Sequence, residues 1–330
     1  MIRRILAITA VVVCAACGAV VGPDLSSSPL ALFDRVWSDF DLHYSLFIVK
    51  GINWDSLRAV YRPMAAQATN QAGAQNTIIR LLSNLHDGHV LFRGASTGTT
   101  VHGNIEAPTI TYGRYVTPRA DFSGGVSCGT IATNIGYIEI STFDGAQLLT
   151  EIDSALSVLN GVQSIIIDVR NNEGGLVDNA IGAASRFAQS RVTVAYVRYR
   201  NGPAHTDFTN YLEQQVHPAG PFQFTGPVYL LTSRNTVSAA ELFALSMHAL
   251  ARTTVVGDTT AGETGSPFAR ELQNGWTYQL PESIEYTLTG ASFEDIGIPP
   301  DVPVQNTNHQ LQVNIDAQLE RAIALASQPN

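Results

Sequence analysis

The sequence predicts an α/β protein built on a largely parallel β-sheet, with a small helical domain ahead of it. Three observations carry this prediction. From residue 135 onward, short β-branched runs alternate with stretches of helical period, the texture of successive βαβ units. One of those runs, SIIIDV, is apolar without interruption until its aspartate, as a strand buried on both faces should be. Upstream, residues 31–85 carry their apolar side chains at helical spacing.

The elements follow in order. Leu32, Phe33, Val36 and Trp37 recur at helical intervals, as do Leu57, Val60 and Tyr61, and Ile78, Leu81, Leu82 and Leu85 repeat the pattern. They predict three or four helices, forming a domain over 31–92. Residues 101–133 are rich in Thr, Gly and Tyr and predict short strands. A second domain, 93–330, then alternates: strand IGYIEI, helix LLTEIDSALSVL, strand SIIIDV, helix AIGAASRFA, strands VTVAYVRYR and VYLLTS, helix SAAELFALSMHALA, strand TTVVG, and a closing helix IDAQLERAIALA.

Composition narrows the function classes. Hydrophobic residues make up 45% of the 330, enough for a packed core, and a charged fraction of only 14% argues against a disordered chain. The net charge of −9 and the lack of a basic patch argue against nucleic acid as a partner. At the N-terminus, Arg3 and Arg4 precede an apolar run from Ile5 to Val13 and then Cys14-Ala15-Ala16-Cys17. That run is too short to span a bilayer and fits a signal peptide over residues 1–17. Two readings stay open. Cys17 is the lipidated first residue of a lipobox, anchoring the mature chain to a membrane, or the signal is simply cleaved near Ala16. Residues 18–30 are rich in Gly, Ser and Pro and predict a tether. The expected location is the cell envelope, facing the periplasm from the outer membrane, or outside the cell. Cys128 is left without a disulfide partner in the mature domain and reads as a buried structural cysteine.

Candidate site residues sit where the pattern changes. Ser238 falls at the turn from strand VYLLTS into the next helix. There its hydroxyl is exposed at the carboxyl end of a strand, and the Ala239 amide is free to stabilise an oxyanion. The same serine also reads as a helix cap, with Glu241 three positions on completing a capping box. Gly174 and Gly175 end SIIIDVRNNEGG and allow close backbone approach, as an oxyanion hole or as a plain turn. His89 follows an Asp-Gly turn, and Glu294 lies in a polar loop before Gly-Ile-Pro-Pro-Asp. His86 and His89, three apart, invite a metal, but no further ligand set accompanies them, so no metal and no cofactor are expected.

Taken in order, INWDSLRAVYRP, LLSNLHDGHV, IGYIEISTFDG, SIIIDVRNNEGG, TSRNTVSAAELF, VVGDTTAG and SFEDIGIPPDVPV resemble the tail-specific (C-terminal processing) protease family. Its relatives include the tricorn core protease and the interphotoreceptor retinoid-binding protein modules. The resemblance covers roughly residues 30–325 and implies a crotonase-like (ClpP/crotonase) α/β core and peptide-bond hydrolysis through an acyl-enzyme. Two departures matter. The interval from 90 to 135 is too short for the PDZ domain that many members carry there, so none is expected. The Ser–Lys members place a lysine where this chain has Glu263, and its one lysine, Lys50, lies far upstream. The tricorn-like branch supplies a histidine and a glutamate instead, which map onto His89 as general acid–base and Glu294 as the carboxylate that orients the imidazole or its surroundings. The resemblance therefore implies a serine peptidase acting on peptides or unfolded proteins. The alternatives are an inert lipophile- or peptide-binding module of the same fold, and an esterase using the same machinery.

Overall fold

The computed structural model describes residues 28–94, 98–100, 114–132 and 134–328. The signal or lipobox segment with Cys17, and residues 18–27 of the expected tether, lie outside the described residues, as do 101–113 of the segment expected to form strands. No helix among the described residues is long and apolar enough to cross a membrane.

The N-terminal part contains α1 (Pro29–His43), α2 (Trp54–Gln67) and α3 (Gln71–Leu82), with β1 (Leu91–Arg93) and β2 (Gly98–Thr100) behind them. Helix α1 starts inside the stretch expected to be tether. The Ser28 hydroxyl accepts from the Ala31 amide and Pro29 takes the first helical position, a start signal that a reading by Pro and Ser content missed. Asn53 and Asn70 cap the next two helices in the same way.

The rest of the chain runs β3 (Arg119–Asp121), β4 (Val126–Ile131), β5 (Ile135–Ile140), α4 (Leu148–Val158), β6 (Ser164–Asp168), α5 (Val177–Ala184), β7 (Val192–Tyr199), β8 (Leu212–Val216), β9 (Val228–Thr232), α6 (Ala239–His248) and β10 (Thr253–Gly257). After it come β11 (Pro267–Glu271), β12 (Thr277–Pro281), β13 (Ser283–Tyr286), β14 (Val302–Pro303), α7 (Asn308–Gln312) and α8 (Ala317–Ala326). The result is a mixed α/β architecture on a seven-stranded sheet of order β14-β10-β9-β6-β5-β4-β3. It is parallel from β14 to β5, with β4 and β3 antiparallel at one edge.

Alternation along the central strands explains the layers. Ile165 and Ile167 of β6 point into a core made with α4, α5 and α6, whereas Ile166 points to the other face. There it meets Leu319 and Ala322 of α8, with Leu231 and Val256 from the neighbouring strands. Both faces are covered, which is why SIIIDV shows no polar alternation. Cys128 is fully buried in the first of these cores.

Strands β8, β11, β12 and β13 were not anticipated. Their sequences are short and half polar, and PFARE and LEQQV carry no period that marks a strand. The last three matter to the N-terminal part. Helices α1–α3 close their core with Leu272, Trp276, Tyr278, Leu280 and Ile284 from the β11–β13 segment, and β1 pairs with β12. Burying side chains of this size contributes roughly 1.5–3 kcal/mol each. The helices are thus fastened to the body of the chain by apolar burial.

Candidate active site

The loops after β6, β9 and β10 lie at the carboxyl ends of the parallel strands, the edge where α/β sheets gather ligands. The loop after β9 carries Ser238. It is tied to the loop after β6: the Ser233 hydroxyl donates to the Arg170 carbonyl, Thr236 Oγ1 donates to the Val169 carbonyl at 2.9 Å, and the Val237 amide donates to the Asn172 carbonyl at 3.0 Å. These bonds hold Ser238 at φ 57°, ψ −122°, outside the regions a residue with a side chain ordinarily occupies. Such a conformation costs about 1–3 kcal/mol and recurs where a serine must stand clear of its strand-to-helix turn. Ser238 is also the N-cap of α6, and Glu241 Oε2 accepts the Ser238 amide at 3.2 Å. Ser238 is half-buried at this turn, and its side chain makes no capping hydrogen bond.

Gly174 lies directly against this turn. A β-carbon on it would fall 2.8 Å from Ser238 Cβ and 3.1 Å from the Ala239 nitrogen, and its φ is +101°. Only glycine permits that approach. Its own amide, however, already donates to Asn172 Oδ1 at 2.9 Å, so Gly174 does not serve as an open oxyanion donor. The Ala239 and Gly175 amides donate to no acceptor among the described residues. Asp168 and Arg170 sit beneath the loop and do structural work: fully buried Arg170 pairs with Asp168 at 2.6 Å and with Asp316 at 2.9 Å.

His89 is buried and held at both ends. Its amide donates to Asp87 Oδ1 at 2.8 Å, and the other Asp87 oxygen accepts the Tyr44 hydroxyl at 2.8 Å. Nδ1 of the ring lies 3.1 Å from the Thr264 carbonyl oxygen. A carbonyl can only accept, so Nδ1 carries the proton and Nε2 of the neutral ring is left as the acceptor. Thr264 lines the same cleft as Ser238, together with Ala239, Glu263, Gly265 and Glu285. His89 and Ser238 make no hydrogen bond to each other in this structure. A larger depression at the opposite ends of the strands, between Leu156 and Arg252, has Arg252 as its one ionisable lining residue and carries no such constellation.

Glu294 reaches the site differently from a direct carboxylate–imidazole contact. It makes no hydrogen bond to His89; its Oε2 accepts the amide and the hydroxyl of Thr264, at 2.7 and 2.9 Å. Its other oxygen pairs with Lys50 Nζ at 2.7 Å. Burial, and then the neighbouring Asp87 charge, push the Glu294 carboxyl up to about 8 against the pull of Lys50. Lys50, far away in sequence, is therefore at the edge of the site. Burial works against its charge, but Glu294 and Asp295 outweigh that and raise its pKa, so it stands as a cation and not as a base.

Two carboxylates here were not singled out as site residues. Glu241 is fully buried and accepts from the amides of Ser238, Gly262 and Glu263 and from Thr260 Oγ1. Glu285 lines the cleft and accepts the Gly265 amide. Glu241 was legible only as a cap, and Glu285 belongs to a strand that the sequence did not reveal.

With this geometry in view, the similarities to known proteins are coherent. Residues 134–304 match the model of peptidase family S41, and residues 29–78 match that of the tricorn protease C1 domain. The chain is 28% identical over 186 residues to the carboxy-terminal processing protease CtpA of Bacillus subtilis, a match that takes in 56% of this chain and 38% of that protein. It is 30% identical over 193 residues to the tricorn protease of Thermoplasma volcanium, covering 58% of this chain and 17% of that one. It thus spans well under half the length of either relative. A crystal structure of a candidate peptidase from Parabacteroides merdae superposes with a TM-score of 0.83 at 27% identity, over 92% of this chain and 98% of the other. The S41 match extends over more than half of the residues, from β5 to β14 and through Ser238, and the chain belongs to peptidase family S41.

Proposed function

We propose that the protein is a serine peptidase whose crotonase-like core hydrolyses peptide bonds through an acyl-enzyme on Ser238. The observation that carries this reading is the 3.1 Å contact of His89 Nδ1 with the Thr264 carbonyl. With Nδ1–H committed to the Thr264 carbonyl, Nε2 is the nitrogen left to accept a proton. In the first step the Ser238 hydroxyl attacks the substrate carbonyl while His89 Nε2 takes its proton. The negative charge that develops is received by the Ala239 and Gly175 amides, the former at the N-terminus of α6 where the helix dipole favours an anion. The imidazolium then protonates the departing amine. Water, activated by the same nitrogen, releases the acid and restores Ser238. Glu294 acts on the surroundings of the imidazole, by pinning Thr264. Membership of S41 and the cleft shared by Ser238 and Thr264 support this assignment.

The test is labelling of purified residues 18–330 with a fluorophosphonate. Label on the peptide containing Ser238 is expected in the unmodified protein and should be lost in His89→Ala. No label on a cooperatively folded sample would turn the reading toward a binding module.

The same proposal places the protein in the cell envelope as a lipoprotein, supported by the Arg3–Arg4, apolar and Cys17 sequence. Mass spectrometry of the mature N-terminal peptide from a producing bacterium should find lipid on Cys17. An unmodified N-terminus would remove the anchor.

A further inference from the structure

The cleft holds two ionisable groups that the scheme above leaves without a task, Glu263 and Glu285, and the second is joined to His89. Glu285 lies on β13 and is buried beside Ser238. No arginine or lysine among the described residues pairs with it; its oxygens accept the Gly265 amide at 2.5 Å and the Ser283 hydroxyl at 3.2 Å. A buried carboxylate without a cation is costly and calls for a compensating charge.

That charge is within reach through a single peptide unit. The carbonyl of the Thr264–Gly265 peptide accepts His89 Nδ1–H, and the amide of the same peptide donates to Glu285. Imidazole, peptide and carboxylate form one hydrogen-bonded chain. A carboxylate at the amide end polarises the peptide and makes its carbonyl a stronger acceptor, and chains of this kind strengthen cooperatively in a dry interior. Glu294 approaches the same residue from its other side, but its charge is already met by Lys50.

We propose that Glu285 is the carboxylate of the catalytic system, acting through the Thr264–Gly265 peptide to position His89 and to stabilise its imidazolium. Glu285 is a positioning residue; the Lys50–Glu294 pair fixes the peptide it acts through. The inference rests on the roles of Ser238 and His89 proposed above. Burial holds the Glu285 carboxyl above its usual range, and positive charge on His89 draws it back toward the ionised form, which in turn favours the imidazolium. Other ionisable groups around His89 are Asp87 on its own loop with Tyr44 behind it, Glu263 beside Gly88, and Glu294 with Lys50 beyond Thr264. Glu285 alone among them is joined to the imidazole through its Nδ1 acceptor while lacking a cation.

The test uses Glu285→Gln in the full mature chain, which keeps an acceptor for Gly265 and removes the charge. The His89 titration is followed by NMR, and fluorophosphonate labelling by its rate. Losing the nearby negative charge disfavours the imidazolium, so the His89 midpoint should fall by about one pH unit. The acid limb of labelling should move down with it, and the labelling rate should drop about 10-fold or more, while KM for a peptide substrate stays unchanged. An unchanged midpoint and rate overturn the proposal. If the variant does not fold, the unmutated protein decides: the Glu285 carboxyl carbon should shift at the pH where His89 titrates, and a flat signal there overturns the proposal. The NMR readout needs no activity. A coupled Glu285–His89 titration in a protein that fails to label Ser238 would sink the peptidase reading and leave the electrostatic link standing.

Discussion

Replacement of Ser238 by alanine is expected to lower kcat by about 10⁴-fold or more while leaving the fold intact. The reasoning separates the hydroxyl from everything else at the turn. Alanine keeps the amide that donates to Glu241, keeps the tie between Val237 and Asn172, and leaves the Ala239 and Gly175 amides where they are. Residual turnover above water then comes from those donors and from binding. The stability change should be small, because the Ser238 hydroxyl caps no amide of α6. Glycine at 238 makes a sharper comparison. It removes the hydroxyl too, yet relieves the φ of 57°, so Ser238→Gly should be inactive and more stable than Ser238→Ala by about 1–3 kcal/mol. A fluorogenic peptide assay beside urea unfolding measures both. Full turnover in either variant would remove Ser238 from the chemistry, and equal stability would remove the strain.

The second large effect is on stability against pH. Glu241 is buried, and although four donors favour its ionised form, burial outweighs them and lifts its carboxyl from 4.5 to about 7. The folded protein therefore binds this proton more tightly than the unfolded chain does. A raised carboxyl contributes stability that is fully present below 4.5 and is lost as pH rises through about 7. The size is about 3 kcal/mol, at 1.36 kcal/mol for each pH unit between the two states. Glu294, raised to about 8, works in the same direction. Urea unfolding at pH 4.5 and pH 8 should show the unmodified protein losing stability toward the alkaline side. In Glu241→Gln that loss should shrink by about 3 kcal/mol, whatever the variant's absolute stability. An unchanged slope would mean that Glu241 stays ionised throughout. The outcome bears on function, because the loop that Glu241 holds at Thr260, Gly262 and Glu263 leads directly into Thr264.

Several parts of this protein were readable from its sequence. Apolar periodicity marked α1–α3 and the strand–helix alternation of the sheet, because burial on one face or two leaves a period of 3.6, of 2, or an unbroken run. The residues around Ser238 and His89 leave each open, as a helix cap and as a turn histidine, and only the resemblance of seven motifs in order singles them out as a site. Asp87 holds the His89 amide, and Asp168 pairs with Arg170 at the end of β6, so these charges support the site.

Other features were decided by tertiary structure alone. Lys50 and Glu294 are 244 positions apart yet form a 2.7 Å ion pair, which no local pattern announces. Gly174 was recognised as a close-approach glycine, but only the fold reveals that its amide is spent on Asn172. Glu285 escaped notice because β13 is a short strand in a region without period, and its bond to Gly265 forms only where the loop after β10 meets that strand. Sequence periodicity reports which way each side chain faces relative to its own element, a property set within a few residues. Which donor meets which acceptor at the rim of the sheet depends on how separate elements dock, and this chain determines that through burial summed over its whole length.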